Sequence, residues 1–266
     1  MDSFTVPYYV RDGHRLYYFD TAELKSSNSP PIVFIHGYLG SSQGHWGNQL
    51  NDIELSSNNR LIAPDLRGFG KSNIGKTRIG KYIQTHKTED SIDDIRFLIQ
   101  DELGIQEPPI VCGYSIGGTL AMVYSLKFPV KGVILICPRP FLSKKTRSWR
   151  FLAKEKRSGE KKKSANALLW GVIKRIQKVY AYLEVVVKKK TSSDYLSQLQ
   201  QTEVPFLILC AENDSVSPSI SFDVLIDNLP EKNTKVITFH GDHGITHEQP
   251  EVFKEYVKDF LAVVEK

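Results

Sequence analysis

Five short runs of uninterrupted apolar residues constrain this chain most: Ile32-Val33-Phe34-Ile35, Leu61-Ile62-Ala63, Ile110-Val111-Cys112, Val133-Ile134-Leu135-Ile136 and Phe206-Leu207-Ile208-Leu209. Each is too short for a helix and apolar at every position, the pattern of a strand buried on both faces. The segments between them read as helices. Ile92, Ile95, Leu98 and Ile99 recur at helical spacing within 88–103, opened by Thr88-Glu89-Asp90 and closed by Gly104, and an apolar helix over 116–128 ends before Pro129. Val236-Ile237-Thr238-Phe239 reads as a further strand, and 248–264 as a final amphipathic helix. The aromatic runs Tyr8-Tyr9-Val10 and Arg15-Leu16-Tyr17-Tyr18-Phe19 flank Asp12-Gly13, a hairpin signal. Alternation of strand and helix at this spacing predicts an α/β fold, a parallel sheet covered by helices on both faces.

With 266 residues the chain can bury one sizeable core. No apolar run reaches the length of a membrane-spanning helix, and the N-terminus carries neither a basic region nor an apolar signal core, so the expected location is the cytoplasm. Cys112, Cys137 and Cys210 each lie in or at the end of a strand-like run. Odd in number and without metal-ligand spacing, they read as buried free thiols, and neither a metal site nor a cofactor is expected. Net charge is +5, but residues 139–190 hold 17 Lys and Arg against 3 Asp and Glu. Leu168, Leu169, Trp170, Val172, Ile173, Ile176 and Val179 recur there at helical spacing among the lysines, the pattern of a helical insertion between two strands.

The strongest chemical signal is Gly113-Tyr114-Ser115-Ile116-Gly117-Gly118, directly after one strand and before a helix. A sharp strand-to-helix turn exposes a serine hydroxyl, small residues two positions either side let it close, and the helix N-terminus aims backbone N–H groups at developing negative charge. Ile35-His36-Gly37-Tyr38-Leu39-Gly40 ends another strand and can turn an N–H toward the same place. The pair expected to hold an oxyanion is the N–H of Tyr38 and that of Ile116, with His36 in a structural hydrogen-bonding role. Glu212 and Asp214 lie in an acid loop after a strand, and His240 and His243 in the turn after the last strand. Serine, then acid, then histidine is the chain order of one of the convergent serine-hydrolase arrangements.

These motifs resemble the α/β-hydrolase superfamily over residues 5–137 and 203–265. Asp65-Leu66-Arg67-Gly68-Phe69-Gly70-Lys71-Ser72 is similar to the D-x-R-G-x-G-x-S loop of its esterase and C–C hydrolase branches, and His243-Gly244-Ile245-Thr246-His247-Glu248-Gln249-Pro250 to its histidine loop. The resemblance implies the α/β-hydrolase fold, a mostly parallel eight-stranded sheet flanked by helices with a helical cap inserted after the sixth strand. It divides the chain into core (1–138), cap (139–202) and core (203–266). It further implies Ser115 as nucleophile, Asp214 (second acid of E-x-D) rather than Glu212 as the triad acid, and His243, five residues before the Glu of Glu-Gln-Pro, as the base rather than His240 or His247. Asp65 and Arg67 then bind substrate or form a loop-stabilising ion pair, and Asp242 is a turn residue.

The expected activity is a serine hydrolase forming an acyl-enzyme on carboxylic esters. The alternatives are a C–C bond hydrolase or eliminating synthase using the same triad, and a receptor on the hydrolase fold with little turnover. A serine at the elbow argues against the aspartate- and cysteine-nucleophile branches, and Thr119 stands where the eliminating synthases carry arginine. The partner expected is a small molecule with an acyl or related carbonyl group. The basic cap would steer anionic substrates, touch anionic lipid peripherally, or be a solvated face. Nucleic acid is not expected: no recognised module is present. Oligomeric state is not encoded in any of these signals.

Overall fold

A computed structural model describes residues 6–21, 29–38, 40–72, 88–138, 191–214, 216, 223 and 225–265. By internal contacts the chain falls into two units, one of residues 1–140 with 195–266 and one of residues 141–194. The expected cap helix around Trp170 and the clusters Lys161–Lys163 and Lys188–Lys190 lie outside the described residues.

Eight strands form one sheet in the order β1-β2-β4-β3-β5-β6-β7-β8. The strands are β1 (Tyr8–Arg11), β2 (His14–Asp20), β3 (Ile32–Ile35), β4 (Leu61–Pro64), β5 (Ile110–Tyr114), β6 (Gly132–Ile136), β7 (Phe206–Ala211) and β8 (Thr234–Phe239). β1 and β2 form the expected hairpin, with Arg11 opposite His14 and both Asp12 (φ 49°) and Gly13 (φ 75°) in the left-handed region that a two-residue turn requires. β2 pairs antiparallel with β4, and every pair from β4 to β8 is parallel. All five apolar runs are buried at every position, as expected of central strands.

The described helices are α1 (Ser42–Leu50), α2 (Ile53–Asn58), α3 (Thr88–Phe97), α4 (Ile116–Lys127), α5 (Thr191–Leu199), α6 (Ile245–Glu248) and α7 (Pro250–Val264). None of them is long and apolar enough to cross a membrane. Sequence patterning does not reveal α1: Ser-Gln-Gly-His-Trp-Gly-Asn has two glycines and one large apolar side chain. The Ser41 hydroxyl caps it by accepting the Gly44 N–H at 2.9 Å, and burial of Trp46 does the rest. Trp46 wedges between Phe34 (ring centroids 4.8 Å), Phe253 (6.1 Å) and Tyr114 (6.4 Å), locking α1 and α7 against the strands that carry the site. Residues 195–202 belong with the core unit, eight residues earlier than the expected boundary at 203. Leu199 is fully buried, and Asn233 Nδ2 donates to the Thr202 carbonyl at 3.1 Å.

The loop after β4 departs from one expectation. Asp65 and Arg67 form no ion pair with each other. The Asp65 carboxylate accepts the N–H groups of Ser42 (2.6 Å) and Lys71 (2.7 Å), and a Cβ on Gly70 would stand 2.3 Å from it, so glycine is required there. Arg67 instead reaches Asp94 in α3 through two bonds, Nε to Oδ2 at 2.7 Å and Nη2 to Oδ1 at 2.6 Å, and also pairs with Asp12 at 3.0 Å. Asp94 takes a third guanidinium bond from Arg11, and its backbone carbonyl accepts the Tyr9 hydroxyl. Both Arg67 and Asp94 are buried, and the hydrogen bonds that Arg67 donates to Asp94 hold its guanidinium still more firmly in the charged form. Without Arg67 the buried Asp94 carboxylate keeps only its bond from the partly exposed Arg11, so Arg67→Met should lower stability by about 1.5–3 kcal/mol. The paired Arg67→Met/Asp94→Leu replacement should recover most of that loss, both being read by urea unfolding. A single-variant loss under about 1 kcal/mol would refute the network's structural role.

Candidate active site

The turn after β5 is built by exclusion of side chains. Ser115 has φ 56° and ψ −117°, a strained conformation for a residue with a Cβ. Its N–H is anchored to the Ile136 carbonyl at 2.8 Å. A Cβ on Gly113 would lie 2.1 Å from the Gly117 carbonyl oxygen, and one on Gly117 would lie 2.2 Å from the Ile35 carbonyl oxygen. Neither glycine has a positive φ, so both are required by close backbone approach. Ile116 is the first residue of α4, where helix geometry supplies no acceptor for the backbone N–H.

The His36 loop packs directly on this elbow: a Cβ on Gly37 would sit 3.3 Å from Ser115 Cβ. His36 is fully buried and takes the structural role expected of it. Its Nε2 accepts the Leu66 N–H at 2.9 Å, which puts the proton on Nδ1, where it is donated to the Gly37 carbonyl at 2.8 Å. Burial pushes its pKa down and keeps the ring neutral. The Gly37 N–H is bound to His45 Nδ1 at 3.0 Å, and the Gly40 N–H to the Gly37 carbonyl at 3.2 Å. Leu39 lies outside the described residues, and Tyr38 is the next amide along the loop after the one that His45 holds.

His45 carries a role that sequence reading did not assign. Burial first, then the neighbouring His36, His247 and His243, pull its pKa down to about 4. The ring is therefore neutral near pH 7 and free to accept at Nδ1. It stacks edge-on against Tyr114 at 5.0 Å and leaves no room for a side chain at Gly40. No local motif marks it, because its partners come from the loop after β3 and from Tyr114 beside the elbow.

Two acid–histidine pairs form at the ends of β7 and β8, and burial separates them. Glu212 Oε2 meets His240 Nδ1 at 2.8 Å, with side chains 49% and 89% exposed. Asp214 Oδ2 meets His243 Nδ1 at 2.7 Å, with side chains 1% and 14% exposed. Because a carboxylate can only accept, His243 carries its proton on Nδ1 and a lone pair on Nε2. Asp214 Oδ1 also accepts the Val216 N–H at 2.8 Å. Asp242 acts as the expected turn residue, accepting the His243 N–H at 2.7 Å. The histidine loop is braced by Gln49, whose amide donates to the Thr246 carbonyl at 3.0 Å, and by Gln249, which donates to the His240 carbonyl at 2.7 Å. The His243 ring stands 5.1 Å from the ring of Tyr114, the residue before Ser115.

All three cysteines are buried free thiols, as expected. Burial holds Cys112 well above its ordinary pKa, and it takes no part in the site. Cys137 differs: it follows β6 with φ 40°, and its sulfur, an Asp214 carboxylate oxygen and a His243 ring nitrogen lie within 4.8 Å of one another.

An eight-stranded, mostly parallel sheet with a strained serine elbow and a buried acid–histidine pair defines the α/β-hydrolase class. The chain belongs to this family: residues 30–250 match the model described as alpha/beta hydrolase fold. It is similar to the 1-acylglycerol-3-phosphate O-acyltransferase ABHD5 of Homo sapiens, 35% identical over 117 residues, 43% of this chain but 31% of that protein. The chain thus spans about a third of the length of that relative. It is also similar to the pimeloyl-[acyl-carrier protein] methyl ester esterase of Nitrosomonas europaea, 25% identical over 258 residues, 86% of this chain and 94% of that enzyme. Among solved structures, a thermophilic esterase from Thermogutta terrifontis shares the fold with TM-score 0.67 at 21% identity, over 98% of both chains.

Proposed function

We propose that this chain is a serine hydrolase acting on carboxylic esters through Ser115, His243 and Asp214. The observation that carries the reading is the buried 2.7 Å contact between Asp214 and His243, whose imidazole stands 5.1 Å from the ring of Tyr114, the residue before a serine held at positive φ. Asp214 keeps the His243 proton on Nδ1, so Nε2 takes the Ser115 proton as Oγ attacks the ester carbonyl. The N–H groups of Tyr38 and Ile116 receive the charge that moves onto the carbonyl oxygen, a contribution worth about a hundred- to a thousandfold in rate per donor. His243 then returns the proton to the leaving alcohol, and water discharges the acyl-serine by the reverse sequence.

The match to proteins named acyltransferases supports a second fate for the same intermediate, capture by an alcohol instead of water. Both fates begin with an activated serine. Turnover of a p-nitrophenyl ester series, together with labelling by a fluorophosphonate, tests the reading. The expected result is measurable hydrolysis, faster transfer where an alcohol acceptor such as glycerol is added, and label on Ser115. Absence of label would remove both the hydrolase and the transferase readings and favour a receptor. Label without ester turnover, with activity on vinylogous diketones, would point to C–C bond hydrolysis.

A further inference from the structure

Three residues with positive φ and a side chain occur among the described residues, and two have evident reasons. Asp12 closes a hairpin and Ser115 forms the elbow. The third, Cys137, lies just past β6, is fully buried, and is held by its N–H bond to the Leu209 carbonyl at 2.8 Å. A non-glycine residue at φ 40° is strained and persists only where its surroundings over-determine it. In this conformation its sulfur lies within 4.8 Å of donor atoms of Asp214 and His243.

We infer that Cys137, Asp214 and His243 form a binding site for a thiophilic divalent cation, zinc in the first instance, whose occupancy blocks the chemistry of the acid–histidine pair. One thiolate, one imidazole and one carboxylate are the donor types that zinc takes. Tetrahedral bonds of about 2.3 Å to sulfur and about 2.0–2.2 Å to nitrogen and oxygen place the ligand atoms roughly 3.2–3.7 Å apart. The donors here need to move by about an ångström, the Asp214–His243 contact opening and the sulfur closing in. Charge also favours the exchange. The site holds one buried carboxylate; with the thiol proton released to solvent, the cation, thiolate and carboxylate sum to zero, which lowers the cost of burial. Burial, with the nearby Asp214 charge, pushes the Cys137 thiol up, so it keeps its proton until a cation displaces it.

The blockade follows from the tautomer. A cation on Nδ1 of His243 moves the ring proton from Nδ1 to Nε2, with no net proton change on the ring. Nε2 then has no lone pair with which to receive a serine proton. This consequence rests on the hydrolase reading above, whereas the binding itself does not. Nothing in the sequence spacing exposes the site, because its three ligands come from the ends of three different strands.

The test uses the full chain freed of metal by chelation. Zinc is titrated against a chromophoric chelator, cobalt is added as a spectroscopic substitute, and ester turnover is followed in parallel. The expected results are 1:1 zinc binding, a near-ultraviolet thiolate-to-cobalt band, and turnover that falls in step with occupancy and returns with chelator. Cys137→Ser should abolish the cobalt band and weaken zinc binding at least tenfold, with its inhibition scored against its own zinc-free rate. Cys137→Ala serves if the serine variant fails to fold. A His247→Ala variant should bind zinc as the parent does. Binding unaffected by Cys137→Ser, or no 1:1 binding, overturns the inference while leaving any ester turnover standing. Zinc binding lost in Cys137→Ser, in a protein that turns over no ester, supports the site and instead removes the ester-hydrolase reading.

Discussion

Ser115→Ala is expected to lower ester kcat on the order of a millionfold and to abolish fluorophosphonate labelling, with the fold intact. The fold uses the backbone of this residue: its N–H bonds to the Ile136 carbonyl and its carbonyl accepts the Gly118 N–H at 3.0 Å. Alanine has the same Cβ as serine, so the strained φ costs about the same and unfolding in urea should be unchanged. What disappears is the only oxygen at this position able to form an acyl-enzyme. Residual turnover from the oxyanion donors and substrate binding should remain about a thousand- to ten-thousandfold above the uncatalysed rate. A variant retaining turnover within tenfold of the parent would show that the hydrolysis measured arises elsewhere.

Asp214→Asn should cost on the order of ten-thousandfold in kcat near neutral pH. The change is nearly isosteric, yet it reverses the hydrogen bond: the amide donates to Nδ1 of His243, the ring proton moves to Nε2, and the base loses the lone pair it needs. Because Asp214 is buried, solvent cannot substitute for the lost carboxylate. Glu212→Gln is the matched control. It disrupts an acid–histidine pair of similar length, but one whose histidine is 89% exposed, and turnover should stay within about threefold. Should Glu212→Gln prove the more damaging, the acid has been misassigned, although the fold would be unaffected.

The contrast between these two acids shows where sequence reading stops. Glu212 and Asp214 sit two residues apart in one loop, and His240 and His243 three apart in another, so local pattern leaves both pairings open. Family resemblance favours Asp214 with His243, and the structure supplies the physical difference in burial. The Arg67 network is another case. Asp65 and Arg67 look like partners because they are adjacent in a motif, but Arg67 turns to Asp94 in a distant helix and Asp65 binds backbone amides. His45 and α1 carry no local sequence signal, because α1 is ordered by Trp46 packing against three aromatic rings, which no helical periodicity records.

By itself the sequence determined the eight strands, the hairpin turn, the glycines of the elbow and the order of serine, acid and histidine along the chain. Those features depend on interactions within a few residues: apolar runs must be buried, and a tight turn admits only particular side chains. Tertiary structure alone decided which of the two acid–histidine pairs is buried, how the His36 loop lies on the elbow, where Arg67 finds its counter-charge, and that Cys137 stands beside Asp214. These depend on the parallel register of β5, β6, β7 and β8, which brings residues far apart in the chain to one edge of the sheet, a placement set by strand order and not by neighbouring residues.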